Sequence, residues 1–200
     1  SKPFATQYNA LLTRAMDKRA MAVVEVLFDG RRWVETEDVD KCLSGAYKRA
    51  SQLVETVKKL ADESESRLVS LAEIQNALSV HDIPSLFNLL PVQFRGYQTQ
   101  MVGALRSMAI NCHNVHQQTE MSRGILQLCN QFNFKSAELN ELLKKDYDKI
   151  AELIAFNQKY KDFLTCFFCG KREPEKSSGI TKTIYKETER SFFTRSVRYS

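Results

Sequence analysis

Glycine and proline are scarce in this chain, at seven and four among its 200 residues. A sandwich of short strands that turns every ten residues or so needs more of both, so the composition points to helix. Long apolar runs are missing too. The longest, Ala20 to Phe28, spans nine residues and is interrupted by Glu25, whereas a membrane span needs ~18 consecutive apolar residues. The first residues carry none of the charged, apolar and cleavage regions of a secretory signal. The five cysteines form an odd set without framework spacing, which predicts free thiols in a reducing, cytoplasmic setting.

The chemistry-bearing patterns are equally thin. There is no glycine-rich phosphate loop, and the few glycines are scattered. Three histidines with no nucleophile–base arrangement, and no Glu-x-x-His on a helical face, leave hydrolase and carboxylate-bridged metal chemistry without support. The expectation is therefore a non-enzyme with no cofactor, no metal and no small-molecule substrate.

What is present is an ordinary globular balance, 43% hydrophobic and 26% charged residues in 23.0 kDa. A chain of this length buries roughly 70% of its unfolded surface and folds without a staple. Its net charge of +5 is uneven. Residues 1–170 carry 21 Lys+Arg against 20 Asp+Glu, and residues 171–200 carry 8 against 4. Two regions follow, a near-neutral helical body over 1–170 and a basic tail over 171–200.

Within the body, apolar residues recur at three- and four-residue spacing. Phe4, Tyr8, Leu11, Ala15, Ala22 and Val26 mark a first helix to Phe28, closed at Gly30 by a left-handed cap. Thr36, ahead of Glu37 and Asp38, reads as the N-cap of a second helix. Its stripe of Val39, Leu43, Ala46, Ala50, Leu53, Val57 and Leu60 continues to Leu78, with a kink near Ser64 where Ser and Asp compete for backbone hydrogen bonds. A third stripe, Met101, Leu105, Met108, Cys112, Val115, Thr119, Ser122, Leu126 and Cys129, predicts one helix over about 97–131. Ser136 caps a fourth, with Leu139, Leu143, Asp146, Ile150, Leu153 and Asn157 inward and an end at Gly170. Asp146 and Asn157 either fix register by pairing or lie at its solvated margin. Four long helices with short connections predict an all-α fold, an elongated antiparallel four-helix bundle with coiled-coil-like packing.

Between the second and third stripes, Pro84, Pro91 and Gly96 bound an apolar segment holding Ile83, Leu86, Phe87 and Leu90. It forms a short helix that either packs internally or offers a docking surface to a partner. His113-x-x-His116 sets two imidazoles one turn apart, but zinc wants a further ligand, and the pair reads as polar surface histidines. Cys166-Phe-Phe-Cys169 is a single CxxC at a helix end, where the dipole does not activate a thiol. It is read as core, with zinc shared with His81, or acylation of Cys166 or Cys169 beside Lys171-Arg172, as alternatives.

The tail interleaves β-forming residues with Lys and Arg, compatible with a short β-hairpin or with a segment that orders on binding. Lys171, Arg172, Lys182, Lys186, Arg190, Phe192, Phe193, Arg195 and Arg198 are its candidate anionic-surface contacts. Arg190-Ser191 and Arg195-Ser196 suit phosphorylation that would cancel the charge. The sequence thus reads as a scaffold or adaptor working through protein–protein interaction or self-association. The alternative is a peripheral membrane protein recruited to anionic lipid by its tail, with nucleic-acid binding ranked third.

Overall fold

The computed structural model describes residues 2–30, 38–133 and 136–163, and among these the chain is helical with no strand. Eight α-helices follow in order: α1 (Lys2–Asp17), α2 (Met21–Asp29), α3 (Val39–Glu63), α4 (Leu71–Val80), α5 (Ile83–Leu89), α6 (Arg95–Asn114), α7 (Thr119–Leu128) and α8 (Ala137–Phe163). Single 3-10 turns, Val92–Phe94 and Cys129–Gln131, precede α6 and follow α7. Two compact units divide after Ile154. The first holds α1 to α7 and α8 as far as Ile154; of the second, the described part is the closing stretch of α8.

Each of the first three long helices predicted from periodicity is divided. In the first and third the cut falls at a left-handed position held by Arg19 (φ 54) or Gln117 (φ 57) rather than by glycine, and Asp82 (φ 48) holds another such position between α4 and α5. At the first cut, Ala20 N–H reaches back to Ala15 O and Arg19 N–H to Met16 O. This is the paired bonding of a helix stop that normally selects glycine where Arg19 stands. Gly30, by contrast, stays right-handed (φ −62) and gives no left-handed cap. The kink foreseen at Ser64 is a full break. The Ser64 hydroxyl donates to Ala61 O, and α4 restarts on Ser70, whose Oγ accepts Glu73 N–H at 3.2 Å. Ser70-x-x-Glu73 is a capping-box signature that the sequence carried unread.

The third predicted helix is in fact a hairpin. After Asn114 the chain turns through 115–118, and α7 packs back on α6. The 4-3 stripe survives because the turn consumes one step of it. Met101, Leu105, Met108, Cys112, Thr119, Ser122, Leu126 and Cys129 are all buried, while Val115 in the turn is exposed.

Around these hairpins α1 packs on α3, α3 on α6 and α6 on α7, with α2 against α5 and α4 against α7. The α3 stripe of Leu43, Ala46, Ala50, Leu53 and Val57 is buried as its spacing predicts. On α1 the buried set is Ala5, Tyr8, Leu12, Ala15 and Met16, so Leu12 and not Leu11 faces inward. Leu11 and Leu12 stand at i+3 and i+4 from Tyr8, so spacing alone does not choose between them. Aromatic rings knit the helix ends: Phe94 stacks on Tyr47 at 4.5 Å and meets Phe28 edge-on at 6.1 Å. Ser136 caps α8 as predicted, its Oγ accepting Leu139 N–H. The helix begins at Val39 after Asp38 on α3; Thr36 lies outside the described residues.

Candidate interaction surface

Ile83, Leu86, Phe87 and Leu90 are buried, none more than 6% exposed. Phe87 lies edge-on to Phe132 with centroids 6.4 Å apart. The end of α5 is closed by buried Gln98, whose Nε2 donates to both Phe87 O and Leu90 O at 2.9 and 3.1 Å. The apolar segment therefore takes its internal-packing alternative. As a docking surface it is corrected, because these side chains face the core and not solvent.

The tail contacts Lys171, Arg172, Lys182, Lys186, Arg190, Phe192, Phe193, Arg195 and Arg198, and the candidate acylation pair Cys166 and Cys169, lie outside the described residues. So does the segment for which a short β-hairpin is one alternative.

Four exposed apolar side chains, Phe4, Leu11, Val23 and Val26, lie on the first two helices. Phe4 and Leu11 stand seven residues apart on the α1 face that carries Tyr8, and Leu11 is 51% exposed. The Tyr8 hydroxyl donates to Leu27 O on α2 at 2.5 Å, and burial together with Cys42 pushes its pKa up to about 12. On α2, Val23 and Val26, one turn apart, are 43% and 71% exposed. Within Met21–Phe28 only Glu25 is polar. A helix apolar on nearly every side is ordinarily enclosed, and α2 buries only Val24 and Phe28. Sequence reasoning had assigned Leu11 and Val26 to the core stripe, so this surface became visible only once the break at Arg19 was known.

His113 and His116 each brace a turn. His113 is buried, which corrects its reading as a surface residue, and its Nδ1 lies 3.1 Å from Thr119 Oγ1 across the α6–α7 turn. His116 Nε2 reaches Ser64 O at 2.8 Å, while Asn111 Nδ2 donates to Ser64 Oγ at 2.9 Å. The two rings thus serve different partners and do not converge on one point. Cys42, Cys112 and Cys129 are buried, and burial pushes the Cys112 thiol up to about 11, leaving it protonated at neutral pH.

His81, considered as a zinc ligand, sits instead among cations. Its Nδ1 is 3.4 Å from Arg49 Nη2. Arg19 Nη1 donates to the neighbouring Val80 O at 3.1 Å. Burial first, then the charges of Arg49 and Arg19, holds the His81 pKa below its ordinary value. Asp17 Oδ1 lies 3.7 Å from Arg49 Nε. A second polar feature is a groove of about 410 Å³ between α4, α5 and α7, in which Asp82 is the one ionisable side chain among Gln75, Ser79, Ser85, Asn88 and Gln131. It offers no acid–base pair.

No protein-family model, no curated protein and no solved structure matches this chain. The class that the described residues define is an all-helical protein built by helix-on-helix packing, with no helix long and apolar enough to cross a membrane.

Proposed function

We propose that this chain is a non-enzymatic interaction protein, a helical scaffold or adaptor that works by self-association or by docking a protein partner. One observation carries the reading: the outward apolar face of α1 and α2, with Leu11, Val23 and Val26 exposed to water. Apolar side chains held open to water mark contact sites on soluble proteins where they adjoin one another. Behind the face we infer a bundle with coiled-coil-like packing, its helices held rigid enough to present α2 to a partner.

Sedimentation velocity of the full chain over a range of concentrations, beside the double variant Val23→Asp/Val26→Asp, tests this. A concentration-dependent dimer that the variant abolishes supports self-association. Should the wild type stay monomeric, the partner-docking form predicts that cross-links from α2 to a second protein vanish in the variant. Cross-links that persist there sink the reading.

The charge of residues 171–200 favours a second reading, a peripheral membrane protein delivered by its tail. Eight cations with Phe192 and Phe193 suit an anionic lipid surface, where each cation adds ~1 kcal/mol. Nucleic acid would answer to the same charges. Co-sedimentation with anionic but not neutral vesicles, reversed by salt and not by competing oligonucleotide, separates the two.

A further inference from the structure

The cations gathered at the end of α4 are poorly compensated. Three separate elements supply them. Arg19 comes from the α1–α2 turn, Arg49 from the middle of α3 and His81 from the residue following α4. Arg49 Nη2 is a donor, so the His81 Nδ1 that faces it accepts, and the ring carries its proton on Nε2. That Nε2–H has no hydrogen-bond partner among the described residues. Arg49 Nε is buried and also lacks a hydrogen bond. Buried donors are almost always satisfied, and an exception calls for an explanation.

The one carboxylate paired here is Asp17. It stands 3.7 Å from Arg49 Nε, beyond hydrogen-bond distance, with a side chain 58% exposed, so water and salt screen it. His81 feels the same field: burial first, and then the charges of Arg49 and Arg19, hold its pKa below the ordinary value. Arg19 spends one N–H on Val80 O and keeps the rest of its fork. It is held in a left-handed backbone conformation that a long side chain rarely adopts.

We propose that Arg19 and Arg49, beside His81, form a binding site for an oxyanion of the phosphomonoester class. Two planar guanidinium forks match phosphate oxygens in bidentate fashion, as a lysine would not. His81 turns Nδ1 toward Arg49 and its Nε2–H away from it, so the ring stands beside the two forks as a reporter, and the phosphate's charge offsets the local positive field. The ligand chemistry is shared by a free phosphorylated compound and by a lipid headgroup with a terminal phosphate.

The chain has three histidines, so its imidazole NMR signals contain their own controls. The full chain is titrated with inorganic phosphate, and with chloride at matched ionic strength. The proposal expects a saturable shift of the His81 resonances, with His113 and His116 unmoved, and at least a tenfold weaker response in Arg49→Gln. Arg19→Gln, at an exposed position, is the companion variant should Arg49→Gln fail to fold, and the same tenfold loss is expected of it. Equal His81 shifts with phosphate and chloride overturn the site, as does an undiminished phosphate response in a folded Arg49→Gln or Arg19→Gln. Vesicles of neutral lipid with and without a phosphoinositide bearing a terminal phosphate then name the source. Phosphoinositide-dependent pelleting lost in the arginine variants makes the ligand a headgroup, and a saturable phosphate response without pelleting makes it a free compound.

Discussion

Two glycines show how little a residue's identity says without its neighbours. Gly45 lies where α3 meets α1. Its N–H donates to Asn9 Oδ1 at 2.8 Å, and a methyl in place of its hydrogen would fall 1.9 Å from Thr13 Oγ1 and 3.2 Å from Thr13 Cβ. Gly103 sits within α6 with nothing within 4 Å of that position. Helix propensity alone favours alanine at both sites by ~1 kcal/mol. The structure predicts opposite outcomes. Gly45→Ala should lower stability by about 1–2 kcal/mol, the overpacking exceeding the propensity gain, and Gly103→Ala should raise it by ~0.5–1 kcal/mol. Urea midpoints of the two variants decide the matter, and a stabilised Gly45→Ala would mean that α1 yields. Gln98 carries the same lesson. A glutamine after Gly96 looks like surface, yet it is 3% exposed and closes two backbone carbonyls at the end of α5.

At the scale of elements, periodicity identified most of the inward residues and misplaced the points where helices stop. Leu43, Ala46, Ala50, Leu53 and Val57 could be read directly, because their spacing reflects one helix face. The stops after α1 and α6 could not, since Arg19 and Gln117 hold left-handed positions where glycine is the usual residue. For an ordinary residue that conformation costs ~1–2 kcal/mol. Gln117 is exposed, with no side-chain bond to lose, so Gln117→Gly is expected to stabilise the α6–α7 hairpin by up to ~1 kcal/mol. A lower melting temperature in that variant would contradict it. The docking of α8 depends on a pair that the sequence left open. Arg106 Nε and Nη2 donate to both oxygens of Asp146, at 2.5 and 3.3 Å, with both side chains about four-fifths buried. Asp146 thus fixes register and does not sit at a solvated margin. Asp146→Ala should cost about 1–3 kcal/mol, as charged hydrogen bonds do, and hydrogen exchange should quicken along α8 before it does along α3.

For the molecule as a whole, the junction of Arg19, Arg49 and His81 makes stability depend on pH. His81 faces Arg49 from α3 and Arg19 from the α1–α2 turn, with Asp17 beyond Arg49 Nε and Asp82 next in the chain. Its folded pKa is lowered from 6.5, so the unfolded chain takes up the proton first. Stability is therefore held above about pH 6.5 and lost as pH falls through that value toward the folded pKa. Glu73, lowered from 4.5 chiefly by its hydrogen bond to Arg67, acts in a separate and more acidic window. In phosphate-free buffer, His81→Asn should flatten the upper limb of the unfolding curve against pH and leave the lower one. An unchanged upper limb would assign that limb to other groups. By itself the sequence determined the helical class, the inward stripes of α3, α6, α7 and α8, and the concentration of charge in residues 171–200. All of these follow from local spacing and composition. Only the tertiary structure decided where the helices reverse, that Ile83, Leu86, Phe87 and Leu90 are core, and that Leu11, Val23 and Val26 are surface. The reason is physical: bonds between residues far apart in the chain secure those turns, Arg19 to Val80 O and His116 to Ser64 O among them. A periodic pattern read along one helix cannot register a contact that exists only after another helix has arrived.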